Sequence, residues 1–195
     1  MCMSATPRTM SIADYLVLDE ESDEKFELLS GVVVAMSGAA PRDNAICVNT
    51  SALLRAALAD SPCVVLDQGQ RVHIESTGSY LYPDVTVACE PRFTDERPPS
   101  LRNPRLVVEV LSPSTRDHDM GAKLGHYRSL PGLQEVLMVE PDRRFASHYQ
   151  RLESGQWLIT DVTEGAVELP SLSVSLPMDE LYAKVDALPA SAASE

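Results

Sequence analysis

The stretch VVEVLSPSTRDHDMGAK, residues 107–123, decides the fold. Its first five residues read as a buried β-strand with one glutamate, Glu109, set among apolar neighbours. Ser112-Pro113-Ser114 turns the chain. A charged run with helical spacing follows, predicting a helix over 117–130 that stops before Pro131-Gly132. A further apolar strand, QEVLMVE, then occupies 134–140. The helix between these two strands reads as a crossover within one sheet.

The rest of the chain fits around that unit. SIADYLVLDEE predicts a helix capped by Ser11, with Ile12, Tyr15, Leu16 and Leu18 at roughly helical spacing. KFELLSGVVVAM predicts a hairpin turning at Ser30-Gly31. Residues 43–60 predict a second helix with an apolar stripe of Ile46, Leu53, Leu54, Ala57 and Leu58, stopped by Ser61-Pro62. Strands are expected at 63–67, 71–75, 80–88 and 105–111, and a polar, Pro-rich loop separates the last two. Downstream, strands at 144–150 and 156–162, another near 172–176 and a short helix at 178–185 complete the pattern. The fold class that follows is α/β, a central mixed β-sheet flanked by helices. The expected organisation is a flexible N-terminus at 1–10, one domain over 11–185 and a flexible tail at 186–195.

The 195 residues are 44% hydrophobic, enough for a sizeable core. No apolar run is long enough for a bilayer. The polar N-terminus lacks a secretory h-region, so a cytoplasmic protein is expected. The four cysteines, Cys2, Cys47, Cys63 and Cys89, form no CxxC pair and read as scattered reduced thiols, not a zinc site. The net charge of −13 argues against a general nucleic-acid binder. Most of that acidity is terminal, however: residues 1–30 carry −5 and 152–195 carry −7, leaving −1 for the middle.

Three residues stand out. Strand alternation puts Leu106, Val108 and Val110 on one face, and Val107, Glu109 and Leu111 on the other. A carboxylate between Val107 and Leu111 is costly to bury alone. Glu109 is therefore a structural ion pair, a metal ligand or a group facing a cleft. Asp84 follows Tyr82-Pro83, and the proline confines this point to a strand edge or start. An aspartate at a strand boundary is ordinary by itself. Asp119, Lys123 and Tyr127 fall at i, i+4 and i+8 on one helix face. Lys123 is then either half of an exposed ion pair or aimed back at Glu109. Taken together, two carboxylates on neighbouring strands suit a hard cation such as Mg²⁺. A lysine beside them suits phosphodiester hydrolysis.

YPDVTV, NPRLVVEVLSPST and DMGAKLGHYRSLPGLQEVLMVEP, in that order, resemble the Uma-two family of restriction endonucleases. The upstream FELLSGVVVAMSGAAPRDNAI matches as well, so the likeness runs over roughly residues 11–182. The resemblance implies a restriction-endonuclease-like fold within the PD-(D/E)XK nuclease superfamily. It implies Asp84 and Glu109 as ligands of Mg²⁺ (or Mn²⁺), and Lys123, supplied from the helix, as the catalytic lysine. The simpler pattern would place that lysine at position 111, which is Leu111. Glu27 matches an early glutamate that completes the site. Asp43 stands where relatives often carry histidine, while Asn44, Asp119 and Tyr127 match. The implied activity is metal-dependent hydrolysis of DNA. A homodimer is the expected assembly, because cutting both strands calls for two sites. The alternative is a non-catalytic nuclease-fold module that binds a partner.

Overall fold

The chain builds two main sheets and passes between them three times, around β4 and finally at residues 82–84. The computed structural model describes residues 8–36, 38–111 and 119–190. The first sheet is formed by β1 (Arg8–Thr9), β2 (Phe26–Leu29), β3 (Val32–Ala35), β5 (Val72–Ile74) and β6 (Ser79–Leu81), in the order β1-β3-β2-β6-β5. All its pairings are antiparallel. The second sheet runs β11-β10-β9-β8-β7-β4. Its members are β4 (Cys63–Asp67), β7 (Val85–Cys89), β8 (Leu106–Val110), β9 (Glu135–Glu140), β10 (Phe145–Arg151) and β11 (Trp157–Val162). Only β8 and β9 pair in parallel, and the crossover helix joins them, so this sheet is mixed. A separate hairpin pairs β12 (Ala166–Leu169) with β13 (Val174–Pro177).

The helices follow from local signals. Helix α1 (Ile12–Glu21) is capped by Ser11, whose Oγ accepts the Asp14 N–H at 3.2 Å. Helix α2 (Pro41–Ala57) starts with proline at its first position, where a missing N–H costs nothing. The Asp43 carboxylate closes that end by accepting the Ala40 N–H at 3.2 Å. Its buried stripe is Asp43, Ile46, Thr50 and Leu54, and Ala57 is exposed. The hairpin turn falls at Ser30-Gly31, both with positive φ, which glycine accepts at no steric cost. The crossover resumes as one wide π turn (Asp119–Lys123) and continues into α3 (Leu124–Arg128). The chain closes with α4 (Met178–Leu181) and a 3₁₀ turn at Val185–Ala187.

The second sheet is covered on both faces, as parallel pairing requires. One face packs Leu106, Val108, Val110, Leu137 and Val139 against Ile46 and Leu54 of α2 and against the β12–β13 hairpin. The other packs Val107, Leu111, Val136 and Met138 against Leu124 and Tyr127, and against Val72, Ile74 and Leu81 of the first sheet. All six residues of β9 are buried. Truncating Leu137 to alanine would cost about 2–5 kcal/mol.

Three expectations change. Residues 80–88 are two strands in different sheets, not one. Pro83 has no N–H to continue a ladder. Arg8–Thr9 lies inside the expected flexible N-terminus yet pairs with Val32–Val33. Cys63 and Cys89 are not reduced thiols: the β4–β7 register opposes them at a Cα–Cα distance of 3.8 Å, and a disulfide joins them. Cys47 remains a free, half-buried thiol. Among the described residues, no helix is long and apolar enough to cross a membrane.

Candidate active site

The site lies where the two sheets meet, at the end of β8. Tyr82-Pro83-Asp84 spans the gap between β6 and β7. The antiparallel register pairs Val85 with Val108. One further step along it sets Asp84 opposite Glu109. The half-buried Asp84 uses Oδ2 to accept the Val110 N–H at 2.7 Å, which ties its carboxylate to the strand that carries Glu109. Glu109 is 2% exposed. Leu111, at the position of the simpler pattern's lysine, is buried in the apolar cluster with Leu124 and Tyr127.

The Ser112-Pro113-Ser114 turn lies outside the described residues, as does the side chain of Asp119. The helix beyond them brings Lys123 back to the sheet. Its Nζ stands 3.4 Å from Glu109 Oε1 and 3.0 Å from Glu27 Oε1, and the residue is 6% exposed. Tyr127, one turn further on, donates its hydroxyl to the same Glu109 oxygen at 2.5 Å. Glu27 reaches the lysine from β2, in the other sheet, and its Oε1 also accepts the Tyr82 N–H at 2.9 Å. One buried ammonium thus stands between two buried carboxylates. With Asp84, the four groups carry three formal negative charges against one positive.

Carboxylate oxygens are hard donors of the kind that hold a divalent cation. The donor set is all oxygen. Among the described residues, no three His, Cys, Asp or Glu side chains form a metal-holding group. Two carboxylates with all-oxygen donors suit Mg²⁺, which is commonly held by one or two carboxylates with water and phosphate oxygens completing the octahedron. Asp84 and Glu109 would supply those carboxylates.

Behind the site is a buried network that local sequence signals did not reveal. Arg71, 1% exposed, donates to Asp19 Oδ2 at 2.6 Å, to Ser100 Oγ at 2.7 Å and to the Pro98 carbonyl at 2.7 Å. Its guanidinium lies over the rings of Tyr80 and Tyr15, 5.0 and 5.8 Å from their centroids. The Tyr82 hydroxyl donates to the same Asp19 oxygen at 2.6 Å, and burial followed by that bond pushes the phenol well above its ordinary range. Helix α1 therefore anchors Tyr82, whose N–H fixes Glu27.

Helix α2 borders the opposite side. Asp43 is occupied in closing the helix end. The Cys47 thiol is pushed up mainly by burial and further by the charges of Asp84, Asp43 and Glu109. A cavity of about 430 Å³ between α2 and β4 reaches Asp84.

Comparison with known proteins places this geometry in context. The family model Uma2, described as "Putative restriction endonuclease", matches residues 12–181. Two uncharacterized proteins of Synechocystis sp. are similar. One is 36% identical over 163 residues, covering 83% of this chain and 92% of its own. The other is 34% identical over 175 residues, covering 89% and 91%. Among solved structures, a protein of Anabaena variabilis described as a "putative nuclease belonging to DUF820" superposes with a TM-score of 0.72. It is 16% identical, and the match covers 90% of this chain and 99% of that one.

Proposed function

The chain belongs to the Uma-two family, and on that premise we propose that it is a Mg²⁺-dependent DNA endonuclease centred on the end of β8. Family and fold are those of restriction-endonuclease-like nucleases. The observation that supports the finer reading is the buried Glu27–Lys123–Glu109 trio beside Asp84.

Asp84 and Glu109 would hold Mg²⁺, with Mn²⁺ as a substitute. When bound, such a cation lowers the pKa of a coordinated water and offsets charge on a phosphodiester. The chain's own groups do the rest. Lys123 places a fixed positive charge where the phosphate's negative charge grows, in a site largely closed to water. Glu27 holds that ammonium from the second sheet, and Tyr127 fixes the Glu109 carboxylate. In the reaction, a water oxygen bonds to phosphorus, one P–O ester bond breaks and the leaving oxygen takes up a proton. A homodimer would present two such centres, one for each strand of a duplex.

The test is cleavage of plasmid DNA with Mg²⁺ or Mn²⁺ by the wild type, Asp84→Ala and Glu109→Ala, each first shown to be folded. Wild type should nick or linearise the plasmid, chelation should stop it, and both variants should be inactive. Equal cutting by all three, or cutting by none, overturns the reading.

A further inference from the structure

The cavity between α2 and β4 has a composition that the cleavage chemistry alone does not require. Six residues of α2 line it, and Asn44, Val48, Ser51 and Arg55 among them recur at one-turn intervals. From Asn44 to Arg55 the helix rises about 16 Å. Helix α2 leads into β4 through the Ser61-Pro62 stop and packs against it. Its start therefore lies towards the Asp67-Gln68 end of β4, beside Asp84, and Arg55 lies towards the far end. Val48 is 60% exposed, a large apolar side chain on the cavity wall, with Val65 facing it from β4. Gln68 closes the catalytic end, where its carbonyl accepts from Lys25 Nζ at 2.9 Å.

Charge points the same way. Arg55 is exposed and makes no ion pair among the described residues. The one other carboxylate lining the groove, Asp67, is turned to the Gly69 N–H, which it accepts at 2.8 Å. A second cavity, at the start of β8, also holds arginines. There Arg102 is already paired with Glu75 at 2.8 Å, and that cavity is not continuous with Asp84.

Building on the nuclease reading, we propose that the α2–β4 groove is the track for one DNA strand beside the cleaved bond. Arg55 grips a backbone phosphate, and the Val48–Val65 wall takes a sugar or base. Its volume of about 430 Å³ is in the range of small-molecule pockets, so the groove takes a nucleotide of one strand. That strand is one opened locally from the duplex at the cut. A guanidinium suits the distant contact, because it binds phosphate through two parallel hydrogen bonds.

The experiment measures fluorescence anisotropy of a labelled single-stranded oligodeoxynucleotide, and of its duplex, with the full chain in EDTA across a salt series. Variants are Arg55→Ala, Arg55→Lys and Arg92→Ala, the last in the other cavity. Alanine favours helix, so Arg55→Ala should fold as the wild type does. Removing one phosphate contact should flatten the slope of log K against log salt by about 0.7 on the single strand. Arg55→Ala should also weaken binding several-fold and raise KM for cleavage with kcat little changed. Arg55→Lys should retain most of the slope, and Arg92→Ala should leave it unchanged. An unchanged slope in Arg55→Ala, an equal loss in Arg92→Ala, or wild-type preference for the duplex overturns the proposal and leaves the nuclease reading standing. If the wild type binds neither DNA and cuts no plasmid, the nuclease reading falls and takes this one with it.

Discussion

Replacing Lys123 by methionine removes the ammonium that bridges Glu27 and Glu109 while keeping most of the side-chain volume. At 3.0 and 3.4 Å and an effective dielectric of about 20, each contact carries roughly 5 kcal/mol of gross attraction. Burying the ammonium costs several kcal/mol, so the net loss is smaller than the sum. Breaking a buried ion pair from one side typically costs about 3–5 kcal/mol, because the carboxylates stay behind uncompensated. That is a large fraction of a domain's total stability of about 5–15 kcal/mol. Urea denaturation followed by circular dichroism reads it directly. With a slope near 2 kcal/mol per molar, the midpoint should fall by about 1.5–2.5 M. The triple variant Lys123→Met, Glu27→Gln, Glu109→Gln should recover most of the loss, since it removes both carboxylates along with the ammonium they pair with. A loss below about 1 kcal/mol in the single variant, or no recovery in the triple, refutes the reasoning: the carboxylates would not depend on Lys123.

Other predictions follow from particular contacts. Tyr127→Phe removes the hydroxyl that Glu109 accepts and should cost about 1.5–3 kcal/mol, read by the same urea titration. Replacing Cys63 and Cys89 by serine opens a cross-link between residues 26 apart and should cost about 3.5 kcal/mol; stability insensitive to both the change and to reductant would mean that the bond does not form. Burial lowers the His73 pKa below its ordinary value of 6.5, so the folded state prefers the neutral ring. Its contribution is complete above about pH 6.5 and is lost as pH falls, so His73→Gln should show a smaller drop in Tm between pH 7 and 5 than the wild type.

What could be read from the sequence was what local pattern determines. The alternation of 105–111 located Glu109 within an apolar strand, and the β8 face assignments follow it. Helical spacing after the turn set Lys123 and Tyr127 one turn apart on the same face, and both reach one oxygen of Glu109. Pro83 marked a strand start, though not that the chain changes sheets there, because alternation in YLYPDVTVA is the same in either case. Glu27 was accessible only through family resemblance, since its position depends on how two sheets pack. The Cys63–Cys89 pair depends on register across 26 residues, and the Arg71–Asp19–Tyr82 network on contacts more than 50 residues apart in the chain. Spacing carries no signal for either. The strand Ala166–Leu169 was missed because its four residues pair only with β13.

If Asp84 and Glu109 together hold one divalent cation, each is needed to bind it. Isothermal titration calorimetry of the metal-free protein with Mn²⁺, beside Asp84→Asn and Glu109→Gln, measures this. One site per chain is expected in the wild type, with at least a ten-fold loss of affinity in each variant. No binding by the wild type, or unchanged binding by both variants, would contradict it.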